Sequence, residues 1–160
     1  MTSKENLREA IEHTSRQFFA AYVDAGDQNN PAIINRDTDE NCKRYYRPLT
    51  LLDFFGVPQD FAHENGAYEG GIDNNLKKGA VKTCEVSNMT IDVEARRSAA
   101  TTKSDMVFKD GETLVMERAW ILDFNDDGSK VVKVLEFCDQ LATRRMVMKV
   151  YPEKFEDKSG

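Results

Sequence analysis

The sequence predicts an α+β domain in which helices pack on one face of a mainly antiparallel sheet. Apolar residues recur at helical spacing in the first half of the chain and alternate with polar residues in the second half. Turn sequences that contain glycine separate the alternating segments, which is typical of hairpins. Helices followed by a run of hairpins favour an architecture in which the helices cover one face of the sheet.

Three helices are predicted in the first half of the chain. Thr2 and Glu5 match a capping box, and apolar residues follow them at a spacing of three and four. The second helix is bounded by a proline and a glycine. Residues 33–47, between the first two helices, are expected to be extended or irregular. The three predicted ranges are 3–26, Leu49–Phe55 and 65–78.

The second half is expected to form a meander of long strands. The predicted ranges are 80–94, 97–108, 113–124 and 130–139. Residues 1–151 are expected to form a single domain, because no linker or internal repeat interrupts them. The highly charged segment 152–160 is expected to fray.

The composition argues against several functions. A formal charge of -6 disfavours binding to nucleic acid, and no apolar run is long enough to insert into a membrane. Two histidines cannot build a multi-histidine metal site, and no phosphate-binding or dinucleotide-binding glycine motif is present. We therefore expect neither a metal nor a cofactor. Three scattered cysteines and no visible secretory signal predict reduced thiols in a cytoplasmic protein.

Glu136 is a candidate acid or base on the last predicted strand. Alternation places it on one face with Val132, Val134 and Cys138. A carboxylate among these side chains is expected to be half-buried, an environment that suits proton transfer. An exposed glutamate, or one paired with an arginine such as Arg118, is the alternative.

Five further residues are candidate substrate contacts. Trp120 is expected in the core or in the wall of a pocket. Asp123 lies just before a hairpin turn, where capping the turn is the alternative role. Arg36, Asp37 and Arg44 belong to a segment of mixed charge and could hold a carbonyl or carboxylate group. Solvated ion pairs are the alternative for these three residues.

The two histidines differ in their sequence context. His13 lies on the flank of the apolar stripe of the first helix, where it is either exposed or turned inward. His63 lies in a polar segment and is expected to be structural or exposed.

The order of elements and the end of the chain resemble the nuclear-transport-factor-2-like (NTF2-like), or SnoaL-like, superfamily. The resemblance covers nearly the whole chain, and the last hairpin, Trp120–Asp139, carries most of it. The segment Asp37–Pro48 is similar to small fungal proteins of polyketide and meroterpenoid pathways. The isomerases of the terretonin, austinol and paraherquonin pathways look most similar. Those isomerases are cofactor-free homodimers that rearrange a lactone or cyclohexadione ring.

This resemblance implies a cone-shaped fold whose strongly curved sheet encloses a cavity. Two subunits would pack sheet to sheet, so that Lys133, Leu135 and Phe137 face the partner while Glu136 faces the cavity. The family also carries a histidine on the first helix, which His13 matches by position.

The resemblance further implies a cavity acid before the third helix, for which Glu64 and Glu69 are the candidates. The leading hypothesis is a cofactor-independent isomerase or cyclase of fungal secondary metabolism that acts on a bulky apolar intermediate. His13 would be the base, and Glu64 and Glu136 would orient it or act as acids. Enolisation would lead to acyl transfer or ring expansion. A noncatalytic ligand-binding or adaptor module and a dehydratase or hydrolase are the alternatives.

Overall fold

The computed structural model describes residues 3–155. The helices in this part of the chain are α1 (Ser3–Asp27), α2 (Leu49–Phe55), α3 (Asn65–Leu76), α4 (Gln140–Val150) and α5 (Pro152–Phe155), with a 3₁₀ helix over Pro31–Asn35. The strands are β1 (Thr38–Arg47), β2 (Ala62–Glu64), β3 (Gly79–Asp92), β4 (Arg97–Phe108), β5 (Thr113–Phe124) and β6 (Val131–Cys138).

The strands form one mixed sheet in the order β2-β1-β6-β5-β4-β3. The four long strands β3 to β6 pair antiparallel in chain order, which confirms the predicted meander. β1 extends the meander in parallel beside β6, and β2 pairs antiparallel with β1. The predicted α+β class with a mainly antiparallel sheet is therefore confirmed, and β1 occupies the segment expected to be extended or irregular.

α1 packs its apolar face on the sheet and forms the main core with it. The rings of Phe18 and Phe19 meet Trp120 edge to face, with centroids 5.8 and 5.4 Å apart. The turn between β5 and β6 fixes the start of α1. Gly128 in this turn has a φ of 74°, and a Cβ at this position would lie only 3.0 Å from Ile11. Thr14 also donates a 2.7 Å hydrogen bond to the Gly128 carbonyl.

The prediction that the tail frays is wrong for Pro152–Phe155, which form α5. Phe155 is only 4% exposed and stacks on Phe54, with ring centroids 5.1 Å apart. Burial of this one aromatic ring holds a segment whose charge alone suggested solvation. Residues 156–160 lie outside the described part, as does Thr2 of the predicted capping box. The single-domain assignment of residues 1–151 stays a prediction.

α4 was not predicted, although its start carries a recognisable cap. The Asp139 side chain accepts a 3.1 Å hydrogen bond from the backbone N–H of Ala142, which caps the helix. The cap turns the chain back from the end of β6 towards the sheet. Within residues 3–155, no helix is long and apolar enough to cross a membrane.

Candidate active site

A cavity of about 160 Å³ lies between the sheet and the helices α1 to α4. Its wall is mostly apolar and includes Ile34, Leu51, Met106, Met116 and Val147. Polar side chains interrupt this surface: Tyr22, Tyr46, His63, Tyr68, Asn75, Arg118, Glu136, Cys138, Thr143 and Tyr151. A mostly apolar pocket with a small number of convergent polar groups is the usual form of a small-molecule site.

Strand register brings the acidic side chain of the cavity beside its neighbours. Glu136 on β6 pairs with Tyr46 on β1 and with Trp120 on β5, so the three side chains share one face of the sheet. In the next row of this face, Cys138 pairs with Arg118. Glu136 is 6% exposed, and the predicted alternation placed it on the same face as the buried Val134.

Glu136 and Arg118 form a buried ion pair, in which the Arg118 Nε lies 3.3 Å from the Glu136 Oε2. The Cys138 thiol donates to the same carboxylate oxygen over 2.9 Å. Burial, with the charge of Glu136, raises the pKa of the Cys138 thiol. Burial alone would lower the pKa of Arg118, but the charge of Glu136, together with the smaller effects of Cys138, Tyr22 and Tyr68, outweighs it and the pKa is raised. The thiol therefore stays protonated and the guanidinium stays charged.

His63 lies in the cavity wall on β2, and its Nδ1 is 2.6 Å from the Tyr46 hydroxyl. Its ring stacks on Tyr68 with an interplanar angle of 25°. Burial, followed by the positive charge of Arg44, lowers the pKa of His63, against an opposing effect of Glu136. The imidazole is therefore neutral at physiological pH, and one of its nitrogens can accept a proton.

Two tyrosine hydroxyls form a second polar group in the wall. The hydroxyls of Tyr22 and Tyr68 lie 2.6 Å apart. Arg44 donates a 3.3 Å hydrogen bond to the Tyr22 oxygen, and its guanidinium lies 3.9 Å from the centre of the Tyr68 ring. Burial is the main cause that raises the pKa of both phenols, so both keep their protons.

The hydroxyl protons of this pair can be counted. One proton forms the hydrogen bond between Tyr22 and Tyr68, and Arg44 only donates to the pair. One hydroxyl proton is thus left over, and within residues 3–155 it has no acceptor. Because both tyrosines line the cavity, this proton is available to an oxygen atom of a ligand.

The structure brings two of the candidates predicted from sequence to the cavity. Glu136 lies in the wall, where the alternative of pairing with Arg118 also holds. Arg44 lies directly behind Tyr22 and Tyr68. Trp120 is buried behind the wall, where its indole N–H donates to the Thr102 hydroxyl over 2.8 Å.

The structure leaves the other candidates outside the cavity. His13 is exposed, because it lies two residues after the buried Ile11 and so on the opposite side of α1. Glu64 is exposed since it follows the inward-facing His63 on a strand. The rival acid, Glu69, is half-buried on α3 but does not line the cavity.

The remaining charged candidates form ion pairs near the surface. Arg36 binds Asp24 at 3.0 Å and Asp37 at 3.1 Å, so the alternative of ion pairing holds for both Arg36 and Asp37. Asp123 is 2.6 Å from Arg97 on the neighbouring strand β4. Among residues 3–155, no group of three or more His, Cys, Asp or Glu side chains is placed to hold a metal ion.

The sequence-based interpretation missed most of the polar wall. His63 was expected to be structural or exposed, and Tyr22, Tyr46 and Tyr68 were not considered as site residues. Tyr22 carried a usable signal, because it continues the apolar stripe of α1 through Phe18 at i, i+4 spacing. His63 carried none, since β2 has only three residues and shows no periodicity.

Solved structures with this fold come from fungi and bacteria. The BvnE pinacolase from Penicillium brevicompactum is 17% identical with a TM-score of 0.72, over 90% of this chain and 92% of that one. PrhC from Penicillium brasilianum NBRC 6234 is 16% identical with a TM-score of 0.73, over 92% of each chain. An NTF2-like protein from Burkholderia pseudomallei K96243 is 7% identical with a TM-score of 0.59, over 86% of this chain and 97% of that one. No family model and no curated protein matches the sequence.

These likenesses confirm the predicted NTF2-like fold. At identities below a fifth they speak for the fold alone, because unrelated chemistries recur on shared folds. What this chain does must therefore be argued from its own cavity.

Proposed function

We propose that the protein is a cofactor-independent isomerase or cyclase of secondary metabolism. It rearranges a small molecule with a mostly apolar skeleton by moving a proton next to a carbonyl group. The observation that carries the proposal is the half-buried His63, with its lowered pKa, in the wall of a mostly apolar cavity. The fold shared with a protein named as a pinacolase, from a Penicillium species, supports a rearrangement.

His63 is the proposed base. When Nδ1 carries the hydrogen and donates it to the Tyr46 oxygen, the other nitrogen, Nε2, has its lone pair free. Nε2 takes a proton from the carbon next to the carbonyl, and the electron pair of the broken C–H bond moves onto the carbonyl oxygen. This role replaces the one that the resemblance assigned to His13, which is exposed.

The free hydroxyl proton of the Tyr22–Tyr68 pair stabilises the negative oxygen that forms. A hydrogen-bond donor held in place in a dry cavity stabilises an enolate more than the preceding ketone, and so lowers the barrier. Arg44 polarises the pair, because it donates to the Tyr22 oxygen. The hydroxyl that carries the free proton thereby becomes a stronger hydrogen-bond donor.

Glu136 acts through its charge in this proposal. Its carboxylate is already shared by Arg118 and the Cys138 thiol, and its charge favours the protonated form of His63. The imidazolium then returns its proton to a different carbon, which gives an isomer of the same mass. Alternatively, the enolate attacks a second carbonyl of the same molecule and closes or expands a ring.

Deletion of the gene in its host tests the proposal. The metabolite that accumulates is identified by mass and retention time. It is then added to the purified protein, which has first been treated with a metal chelator. We expect a product of identical mass, with deuterium from heavy water at the reprotonated carbon. A product that differs by one water would indicate a dehydratase or hydrolase. A metabolite that binds unchanged would indicate a carrier, and no change in any metabolite would contradict the proposal.

We also propose that the outer face of the sheet forms a homodimer interface. Val115 on β5 is 44% exposed and Phe137 on β6 is 45% exposed, and exposed apolar side chains on one sheet face are typical of an interface. Sedimentation velocity should give the mass of a dimer, and a monomer at micromolar concentration would contradict this assignment. Val115→Glu should shift the mass towards the monomer.

A further inference from the structure

We infer that the ligand of this cavity is a monoanion, with one negative charge on oxygen and an otherwise apolar skeleton. The charged group is a carboxylate or the enolate of a β-dicarbonyl. The inference rests on the proposed function in one respect, namely that the same cavity is the site. It adds the charge of the substrate, which the proposed reaction leaves open.

Three charged side chains are buried around the cavity, and their charges do not balance. Glu136 carries one negative charge, whereas Arg44 and Arg118 carry two positive charges, and all three are less than a tenth exposed. His63 is neutral, and among residues 3–155 no other Asp, Glu, Lys or Arg lines the wall. The site therefore holds one positive charge in excess.

Arg44 is the guanidinium that has no counterion among the described residues. It is 1% exposed, and its hydrogen bonds go to neutral acceptors, namely the Tyr22 hydroxyl, the Ile34 carbonyl and the Asn35 side chain. Its Nε has no hydrogen-bond partner in the part of the chain that the structure describes. Within residues 3–155, no carboxylate lies at ion-pair distance from this guanidinium. A buried charge without an opposite partner is costly, so a negative ligand nearby stabilises the site.

Arg118 offers hydrogen-bond donors in the wall itself. Its Nε lies near Glu136 but lacks hydrogen-bond geometry. Within residues 3–155, its Nη2 donates only to the Met116 sulfur, at 3.2 Å. A sulfur atom of a thioether is a weak acceptor. An anionic oxygen in the cavity would replace this contact with a charge-assisted hydrogen bond.

The tyrosine pair adds a directional donor to these two charges. Tyr22 and Tyr68 stand between Arg44 and the cavity, and one of their hydroxyl protons is free. The positive charge of Arg44 and this donor therefore act on the same part of the cavity. The apolar wall accommodates a skeleton that carries no second charge.

Calorimetric titration of the intact protein with matched probes tests the inference. One pair is 2-naphthoate and its neutral methyl ester, and the other is the enolate of dimedone and its neutral enol methyl ether. We expect at least one anion to bind about tenfold or more tightly than its neutral partner. The pair with the larger preference identifies the carboxylate or the enolate as the charged group. Equal or weaker binding of both anions, or no binding of any probe, would overturn the inference.

A variant that removes the negative charge of the site supplies a second test, because it should change anion binding and turnover in opposite directions. Glu136→Gln removes the negative charge, so it should tighten anion binding several-fold while it slows turnover. Glu69→Gln, on α3 outside the cavity wall, should leave anion binding unchanged. Weaker anion binding by a folded Glu136→Gln variant would contradict the inference. Because binding is measured without turnover, a protein that prefers anions but converts no metabolite would overturn only the proposed reaction.

Discussion

Tyr46 and His63 are joined by a 2.6 Å hydrogen bond between the phenol oxygen and Nδ1, which links β1 to the short edge strand β2. Tyr46 also lies beside Glu136 in the parallel register of β1 and β6. The bond therefore holds the imidazole on the face of the sheet that carries the buried ion pair. It also occupies one ring nitrogen of His63 and leaves the other nitrogen available to a ligand.

Replacement of the two histidines should separate a catalytic imidazole from an exposed one. The chain has only two histidines, so His13→Gln is a matched control for His63→Gln. We expect His63→Gln to lower kcat by about 10²- to 10⁴-fold, the range typical of a lost general base. His13→Gln should retain nearly full activity, as measured by steady-state turnover of the accumulated metabolite. Equal losses in both variants would contradict the role of His63.

The lowered pKa of His63 predicts a loss of stability in mild acid. In the unfolded chain this imidazole titrates near its ordinary value of about 6.5, whereas burial keeps it neutral to lower pH in the folded state. As the pH falls below the unfolded value, the unfolded chain binds the extra proton first. The free energy of unfolding must therefore decrease until the pH reaches the lower, folded value.

Urea denaturation of the wild type and the two glutamine variants, across this pH window, measures the effect. His63→Gln should flatten the pH dependence, whereas His13→Gln should retain the slope of the wild type. If the free energy of unfolding of His63→Gln still depends on pH as in the wild type, groups other than His63 cause that dependence.

Sequence reasoning predicted α1 to α3 and the four strands of the meander, and it missed α4 and the pairing of β1 with β2. β4 and β5 were predicted with their observed ends, because alternation over twelve residues leaves little ambiguity. β2 has only three residues, too few for a period, and its partner β1 was not recognised as a strand. The inward position of His63 and the outward position of Glu64 follow from that pairing, which is a long-range property of the chain.

The charged candidates illustrate a second limit of prediction from sequence. Arg36 and Arg44 come from one segment of mixed charge, yet Arg36 pairs at the surface and Arg44 is buried. Their environments are set by where β1 begins, since Arg44 lies on the strand and Arg36 precedes it. Local composition cannot distinguish the two, because the deciding contacts come from α1 and α3.

The shared hydroxyl proton of Tyr22 and Tyr68 predicts strongly non-additive variants. If one phenol is replaced by phenylalanine, the remaining hydroxyl still has a proton to donate. Tyr22→Phe and Tyr68→Phe should therefore each lower kcat by less than about tenfold, whereas the double variant should lose about 10²- to 10³-fold. KM should change little in comparison. A double variant that equals the product of two small losses would contradict a shared donor.

Burial of Phe155 predicts that the end of the chain contributes to stability. Phe155→Ala removes the ring that stacks on Phe54, and deletion of a buried aromatic side chain costs about 3 kcal/mol or more. Chemical denaturation should show this loss in the free energy of unfolding. Glu153→Ala, an exposed change in the same short helix, should stay within about 0.5 kcal/mol of the wild type. Equal stabilities of the two variants would contradict the packing of α5.

Two adjacent glycines of α3 allow the cavity to be blocked without damage to the fold. Gly71 lines the cavity and Gly70 does not, and a Cβ added at either position meets no atom within 4 Å. Replacement of a helical glycine by leucine favours the helix by up to about 1 kcal/mol, so neither variant should lose stability. Only Gly71→Leu places a large side chain beside the ligand. We expect it to weaken binding of the naphthoate or dimedone probe by about tenfold or more, while Gly70→Leu binds as the wild type does. Unchanged binding in a folded Gly71→Leu variant would mean that ligands occupy a different site, and both proposals for this cavity would fail together.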